Sequence, residues 1–148
     1  MSKTRVIILC THNSARSQMA EAFFKKYGDD VVEVHSAGFE PREISPYTIK
    51  ALHEVGIDSS GQRSKTFREF FGKVQFGFVI TVCKKAEGHC PVIFPGVKHI
   101  LSWPFDDPAQ VTGTEEEIMA KFREVRQEIE EKVKNWLAEY RVSMEGKI

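Results

Sequence analysis

Apolar runs and helically spaced apolar residues alternate along this chain of 148 residues. A continuous apolar run, without alternation, is typical of a strand buried in a parallel sheet. Segments that are continuously apolar or rich in β-branched residues predict strands at residues 4–9, 31–36, 74–82 and 98–101.

Apolar residues that recur every three or four positions predict helices between and after these strands. The predicted helices cover residues 14–27, 45–56 and 114–140, with a short one at 64–71. Thr114 and Glu117 form a capping box at the start of the long helix. Residues 143–148 are expected to be a frayed tail.

Strands that alternate with helices predict the α/β class. We expect residues 1–148 to form one domain, a three-layer α/β/α arrangement around a four-stranded parallel sheet. Ligands of such sheets bind beyond the carboxyl ends of the strands. Cys10 and Cys83 both follow predicted strands, so they should lie on the same rim of the sheet, and Asp107 can reach that rim.

Cys10 occupies the predicted turn from the first strand to the first helix. Free N–H groups and the helix dipole at such a turn bind oxyanions and favour a thiolate. Arg16, six residues later, offers a planar cationic fork for the same anion, and Ser17 can donate a hydrogen bond to the sulfur. The implied chemistry is thiolate attack on a phosphate-like ion. The alternative is a buried structural cysteine with an unrelated surface arginine.

Cys83 and Cys90, with lysines between them, form the second informative stretch. An odd count of three cysteines argues against a structural disulfide framework. The pair is either a redox couple, part of a zinc site with His89, or inert. As a redox couple it permits a relay, in which Cys10 attacks an oxyanion, Cys83 attacks Cys10 and Cys90 resolves the disulfide.

Asp106 and Asp107 precede Pro108 in a predicted loop. Neighbouring negative charges disfavour each other's ionisation, so one carboxyl can stay protonated and serve as a general acid. The alternative is that one of them merely caps a turn.

The 21 basic and 21 acidic residues give no net charge to attract nucleic acid or an anionic membrane. The apolar run near the amino terminus is too short for a signal peptide or a membrane span. A cytoplasmic location is therefore expected.

Several motifs together resemble the thioredoxin-coupled arsenate reductases, which share their fold with low-molecular-weight protein tyrosine phosphatases. They are the 10–17 loop, the sequence Gln18-Met19-Ala20-Glu21, Ser36-Ala37-Gly38, the Cys83/Cys90 pair with Pro91, and the segment from Phe105 to Ala109.

This resemblance implies that Cys10 is the nucleophile, Arg16 the main oxyanion ligand and Asp107 the general acid. Cys83 and Cys90 match two shuttle cysteines, and thioredoxin reduces the disulfide between them. No cofactor is therefore expected. The protein is expected to be a monomer. The oxyanion-binding loop would consist of Thr11, His12, Asn13, Ser14, Ala15, Arg16 and Ser17. His12 itself is expected to face solvent.

Some relatives bind potassium near residues that match Asn13, Glu21 and Ser36, together with an aspartate. Lys65 takes the place of that aspartate in this sequence, and its ammonium can stand in for the cation. No metal site is therefore expected.

Two other functions compete with arsenate reduction. A tyrosine phosphatase would need only Cys10, Arg16 and Asp107, although Ala109-Gln110 follows where such phosphatases carry aromatic residues. Phosphatase activity is also plausible as a side reaction, since arsenate and phosphate share shape and charge. A thiol- or zinc-based arsenite sensor is disfavoured, because the chain has no basic recognition helix for DNA.

Overall fold

The computed structural model describes residues 3–84 and 97–145. Its sheet is parallel, with strand order β2-β1-β3-β4. The strands are β1 (Thr4–Cys10), β2 (Val32–Gly38), β3 (Phe78–Thr81) and β4 (His99–Ser102). The helices are α1 (Arg16–Gly28), α2 (Pro46–Glu54) and α3 (Glu115–Glu145), with 3-10 turns at Phe67–Glu69 and Pro108–Gln110.

The α/β class and the four-stranded parallel sheet are confirmed. All three α-helices contribute to the core on one face of the sheet, where Phe23, Phe122 and Val133 are buried against Val6 and Ile8. The opposite face buries a smaller group, Ile7, Leu9, Ala37, Phe76 and Val79. Phe67 of the first 3-10 turn and Phe70, which follows that turn, pack against this group. None of the helices within the described ranges is both long and apolar enough to cross a membrane.

Three predicted boundaries are wrong. The third strand begins only at Phe78, because Gly72 adopts a positive φ of 74° and residues 71–74 turn the chain. The expected helix at 64–71 is a single 3-10 turn. The last helix continues through Ser143, since Arg141 binds Asp30 at 2.7 Å and Tyr140 bonds to Thr4, which ties its final turns to the body.

The strand register places Cys10 and Cys83 at the ends of neighbouring strands. Cys10 closes β1 and pairs with Gly38 of β2. On the other side of β1, Leu9 pairs with Thr81 of β3, and Val82 donates its N–H to Leu9 at 3.0 Å. Cys83 therefore follows at the same rim as Cys10, one residue further along.

Gly38 permits the close approach of β2 to the loop after β1. A Cβ at this position would lie 2.9 Å from the backbone nitrogen of Asn13 and 2.9 Å from the carbonyl oxygen of Thr11. Both are backbone atoms, so a side chain could be accommodated only by displacing the loop.

We predict that Gly38→Ala lowers the free energy of unfolding by about 1–3 kcal/mol, as overpacking does in a tight core. Urea denaturation measures this change. The matched control is Gly61→Ala, because a Cβ at Gly61 meets no atom within 4 Å. Equal stability of the two variants would contradict the close approach at Gly38.

Candidate active site

The loop after β1 is held by its carbonyl groups. The segment after β2 donates backbone N–H groups to the carbonyls of Cys10 (3.3 Å), Thr11 (2.9 Å), His12 (3.0 Å) and, from Ser45, Ser14 (3.1 Å). Each peptide plane carries its N–H opposite its C=O. With these carbonyls directed outwards, the N–H groups of the following residues are turned towards the centre of the loop, where an anion would bind.

Asn13 fixes the turn of the loop through its side chain. It adopts the left-handed conformation, with φ at 53°, and is fully buried. Its Nδ2 donates to Ser17 Oγ at 2.7 Å and to Ser36 Oγ at 3.0 Å. Its Oδ1 accepts from the backbone N–H of Lys65 at 2.9 Å. Since Ser17 Oγ accepts from Asn13, the Ser17 hydroxyl proton is left for another acceptor, as the predicted bond to the Cys10 sulfur requires.

Cys10 is a free thiol with 4% of its surface exposed. It precedes the amino terminus of α1, where Ala15 is the N-cap residue and makes no side-chain capping bond. An uncapped first turn leaves backbone N–H groups available to an anion or a thiolate. The predicted position of the sulfur at a strand-to-helix turn is therefore what the structure shows.

Arg16 is buried, with 2% of its side chain exposed. Its Nη1 donates to the carbonyl of Phe105 at 3.1 Å, and its Nη2 lies 3.5 Å from Asp107 Oδ2. The alternative of an unrelated surface arginine is wrong. Burial in this position costs desolvation of the guanidinium, which an anionic ligand beside it would offset.

Asp107 lies at the site and also caps a turn. Its Oδ1 accepts from the backbone N–H of Ala109 at 3.0 Å at the start of the second 3-10 turn, while Oδ2 faces Arg16. Only 12% of its side chain is exposed. The two interpretations of this aspartate from the sequence are thus compatible.

Asp106 behaves differently from the expectation of two mutually repelling carboxylates. It accepts hydrogen bonds from Lys121, at 2.8 Å, and from Lys84. These bonds lower the pKa of Asp106 to about 2. The expectation that the pair would disfavour ionisation is wrong for Asp106, because its side chain points to two lysines that are distant in sequence.

Cys83 is buried and disulfide-bonded, in contrast to the free thiol of Cys10. Cys90 and His89 lie outside the described residues, so the predicted shuttle pair and the alternative zinc site stay predictions. Among residues 3–84 and 97–145, no cluster of three or more His, Cys, Asp or Glu side chains could hold a metal ion.

A buried polar group lies behind the loop. Ser36 Oγ donates to Glu21 Oε1 at 2.7 Å, and Lys65 Nζ lies 3.7 Å from the same oxygen and donates to the Arg63 carbonyl at 2.7 Å. Burial lowers the pKa of Lys65, and the nearby Glu21 carboxylate opposes that shift. The ammonium thus lies at the group of residues where the resemblance placed a cation.

The sequence does not reveal that Gln18 and Gln62 support the loop, and the expectation that His12 faces solvent is only partly correct. Gln18 is fully buried, donates to Asn13 Oδ1 at 3.0 Å and accepts from Gln62 at 2.8 Å. His12 is partly buried, and its Nδ1 donates to the Glu40 carbonyl at 2.9 Å, which ties the loop to the segment after β2. These contacts join residues far apart in sequence, and no local pattern signals them.

Comparisons with known proteins agree with this geometry. A family model described as low molecular weight phosphotyrosine protein phosphatase matches residues 5–145. An arsenate reductase of Halalkalibacterium halodurans is 44% identical over 137 residues, covering 92% of this chain and 96% of that protein. An arsenate reductase of Bacillus subtilis is 42% identical over 137 residues, with the same coverage of 92% and 96%.

Solved structures give the same result. An arsenate reductase in its phosphate-binding state has a TM-score of 0.75 and 33% identity, and covers 92% of this chain and 98% of its own. A thioredoxin-dependent arsenate reductase of Corynebacterium glutamicum has a TM-score of 0.70 and 26% identity, and the match covers 95% of this chain and 63% of that one. The family model spans almost the whole sequence, and the resemblance identified from the sequence motifs is confirmed. This chain belongs to the low-molecular-weight phosphotyrosine protein phosphatase family, and the relatives named above are arsenate reductases.

Proposed function

We propose that this protein reduces arsenate to arsenite through a relay of three cysteines. The observation that carries the proposal is the buried free thiol of Cys10 at an uncapped helix terminus, with the Arg16–Asp107 pair beside it. The same rim carries Cys83, which a phosphatase would not need. The arsenate reductases among its relatives, one of them in a phosphate-binding state, support an oxyanion of this shape as the substrate.

In the first step, the Cys10 thiolate attacks arsenic and forms a sulfur–arsenic bond. One hydroxyl of arsenate leaves as water after it takes a proton from Asp107. The N–H groups of residues 11–17 and the guanidinium of Arg16 bind the remaining oxygens and stabilise their charge. Asp107 Oδ2 lies 3.5 Å from that guanidinium, and in this scheme the carboxyl takes up a proton from solvent before it donates one to the leaving hydroxyl.

In the second step, the Cys83 thiolate attacks the sulfur of Cys10. The sulfur–arsenic bond breaks and its electron pair stays on arsenic, which passes from As(V) to As(III) and leaves as arsenite. The Cys90 thiolate then attacks Cys83, releases the Cys10 thiolate and leaves a Cys83–Cys90 disulfide. A free Cys10 beside a disulfide-bonded Cys83 is the state expected after the electrons have passed beyond Cys10.

The two electrons come from Cys83 and Cys90, so no cofactor takes part. A dithiol protein of the thioredoxin type would reduce the disulfide and restart the cycle, and a thioredoxin-dependent structural relative supports this partner. Hydrolysis of phosphate esters is a side activity in this proposal, because it uses only Cys10, Arg16 and Asp107.

The Lys65 ammonium takes the place of a structural cation in this proposal. It is buried 3.7 Å from Glu21, in the group that also contains Ser36 and Asn13. A fixed positive charge there would balance the Glu21 carboxylate without potassium.

We predict that Cys83→Ser abolishes arsenate turnover and leaves hydrolysis of p-nitrophenyl phosphate unchanged, because ester hydrolysis needs no second sulfur. Cys10→Ser should abolish both reactions. Arsenite formation with thioredoxin and its reductase, and release of p-nitrophenol, measure the two activities. Full arsenate turnover by Cys83→Ser would contradict the relay.

We predict that Cys90→Ser releases about one arsenite per chain and then stops, because the Cys10–Cys83 disulfide forms but is not resolved. The matched control is the native chain, which should lose two thiols per arsenite when thioredoxin is omitted. Peptide mapping should then find a Cys83–Cys90 disulfide in the native chain and Cys10–Cys83 in the variant. A native chain that produces arsenite with all three thiols intact would refute the electron path.

We predict that the native chain turns over arsenate equally fast in potassium and sodium chloride at the same ionic strength. Lys65→Asp, which restores the aspartate of the potassium-binding relatives, should be faster in potassium than in sodium. Lys73→Asp is the matched control, since Lys73 is exposed and lines a different groove, with Arg5, Glu33 and His35. Stimulation of the native chain by potassium would show that Lys65 does not replace the cation.

A further inference from the structure

Asp106 joins three separate segments at the edge of the site. It lies in the loop after β4, next to Asp107, and its side chain binds two lysines. One carboxylate oxygen accepts from Lys84, the residue after Cys83, and the other accepts from Lys121 of α3 at 2.8 Å. These three residues, Lys84, Asp106 and Lys121, are termed the Asp106 clamp.

The clamp complements a second set of bonds on the other side of Cys83. Val82, the residue before it, is fully buried and donates to Leu9 at 3.0 Å. The Val82 carbonyl accepts from the backbone N–H of Phe105 at 3.2 Å and from Arg16 Nη1 at 3.5 Å. Cys83 therefore lies between two anchored neighbours, one fixed by buried backbone bonds and the other by an ion pair.

We propose that Asp106 is a positioning residue, which acts through Lys84 to hold Cys83 against the Asp107 loop for attack on the Cys10 sulfur. This inference rests on the proposed relay. In that step the Cys83 thiolate forms a bond to sulfur while the sulfur–arsenic bond breaks and arsenic keeps the electron pair. Such a displacement requires the attacking sulfur to be aligned, and alignment of a reacting group contributes strongly to rate.

The two lysines of the clamp have different surroundings. The side chain of Lys121 is 24% exposed and also binds Glu124 at 2.9 Å, so it holds Asp106 to α3. Lys84 is 48% exposed. Lys84 is thus the partner that can detach, while Asp106 keeps its place.

The carboxyl group of Asp106 is ionised throughout the neutral range. The bonds from Lys121 and Lys84 keep the pKa of Asp106 at about 2, far below neutral pH. Moderate changes of pH would leave the clamp intact, but dissolved salt screens contacts between exposed charges. Sensitivity to ionic strength is therefore the property that distinguishes an ionic clamp from a packing contact.

The test measures two rates on the same variants. Asp106→Asn keeps the shape of the side chain and removes its charge. It should slow formation of the Cys10–Cys83 bond in a single arsenate turnover by roughly tenfold, as loss of alignment does. Hydrolysis of p-nitrophenyl phosphate should stay at the native rate, because that reaction does not involve Cys83. In the native chain, only the first rate should fall with added sodium chloride.

Four further variants separate positioning from general damage. Lys84→Gln should reproduce the defect, and Lys84→Arg should retain the native rate because it keeps the charge. The double variant Asp106→Asn with Lys84→Gln should be no slower than either single one, since both remove the same contact. Glu124→Gln is the matched control: it removes another partner of Lys121 and leaves Lys84 untouched.

Other outcomes would overturn the inference. If Asp106→Asn slows ester hydrolysis as much as disulfide formation, Asp106 serves the Asp107 loop rather than Cys83. Additive defects in the double variant, or native rates in both single variants, would show that the contact does not assist the step. If the native chain itself forms no disulfide with arsenate, the relay fails and the clamp with it, an outcome that is distinct from a defect confined to the variants.

Discussion

The geometry of the site depends on the buried side chain of Asn13. A left-handed residue that is not glycine is unfavourable on its own, and here φ is 53°. The amide of Asn13 offsets this cost by bonding Ser17, Ser36 and the backbone of Lys65, and it receives a further bond from Gln18. The bonds to Ser36 and Lys65 tie the loop to β2 and to the segment that follows α2. Loss of these bonds would remove the reason for the turn.

The buried side chain of Arg16 also holds the loop after β1 in place. Burial of the Arg16 guanidinium, which is 2% exposed, is costly unless hydrogen bonds and an opposite charge compensate it. The Phe105 and Val82 carbonyls supply acceptors from the two neighbouring loops, and Asp107 supplies the charge. The strand ends thereby become linked through one cation. The loop at Asn13 and the loop at Asp107 are held in one arrangement by contacts within the protein, which reduces the reorganisation that binding would require.

The elements that local patterns determine were predictable from the sequence. The turn at Cys10 follows from an apolar strand that runs into a helix, and the start of α3 from the capping box of Thr114 with Glu117, which bond to each other at 3.1 Å. The fold class follows from the alternation of strands and helices. Arg16 and Asp107 were placed correctly at the carboxyl rim, since parallel strands bring their ends together.

Contacts between distant segments were beyond such patterns. The state of Asp106 depends on Lys84 and Lys121, 22 and 15 residues away, so the repulsion expected from its neighbour was the weaker effect. The bonds from Gln62 to Gln18 span 44 residues. The predicted third strand is too long, because the apolar residues before it continue into a turn. Phe76 is buried beside Phe70, on the face of the sheet opposite the three α-helices, but β3 begins only at Phe78. Apolar character alone does not distinguish these two kinds of burial.

The two sides of Cys10 are held by interactions of different kinds. On the β2 side, buried hydrogen bonds of Asn13, Ser36 and Glu21 fix the loop, and breaking them would leave polar groups without partners at a substantial cost. On the β3 side, the residue after Cys83 is held by an exposed ion pair, which contributes little to stability and separates readily. A nucleophile must stay aligned with its anion, whereas a sulfur that passes electrons onward must approach and then withdraw. The proposed relay therefore has the more easily broken contact beside the sulfur that approaches and withdraws.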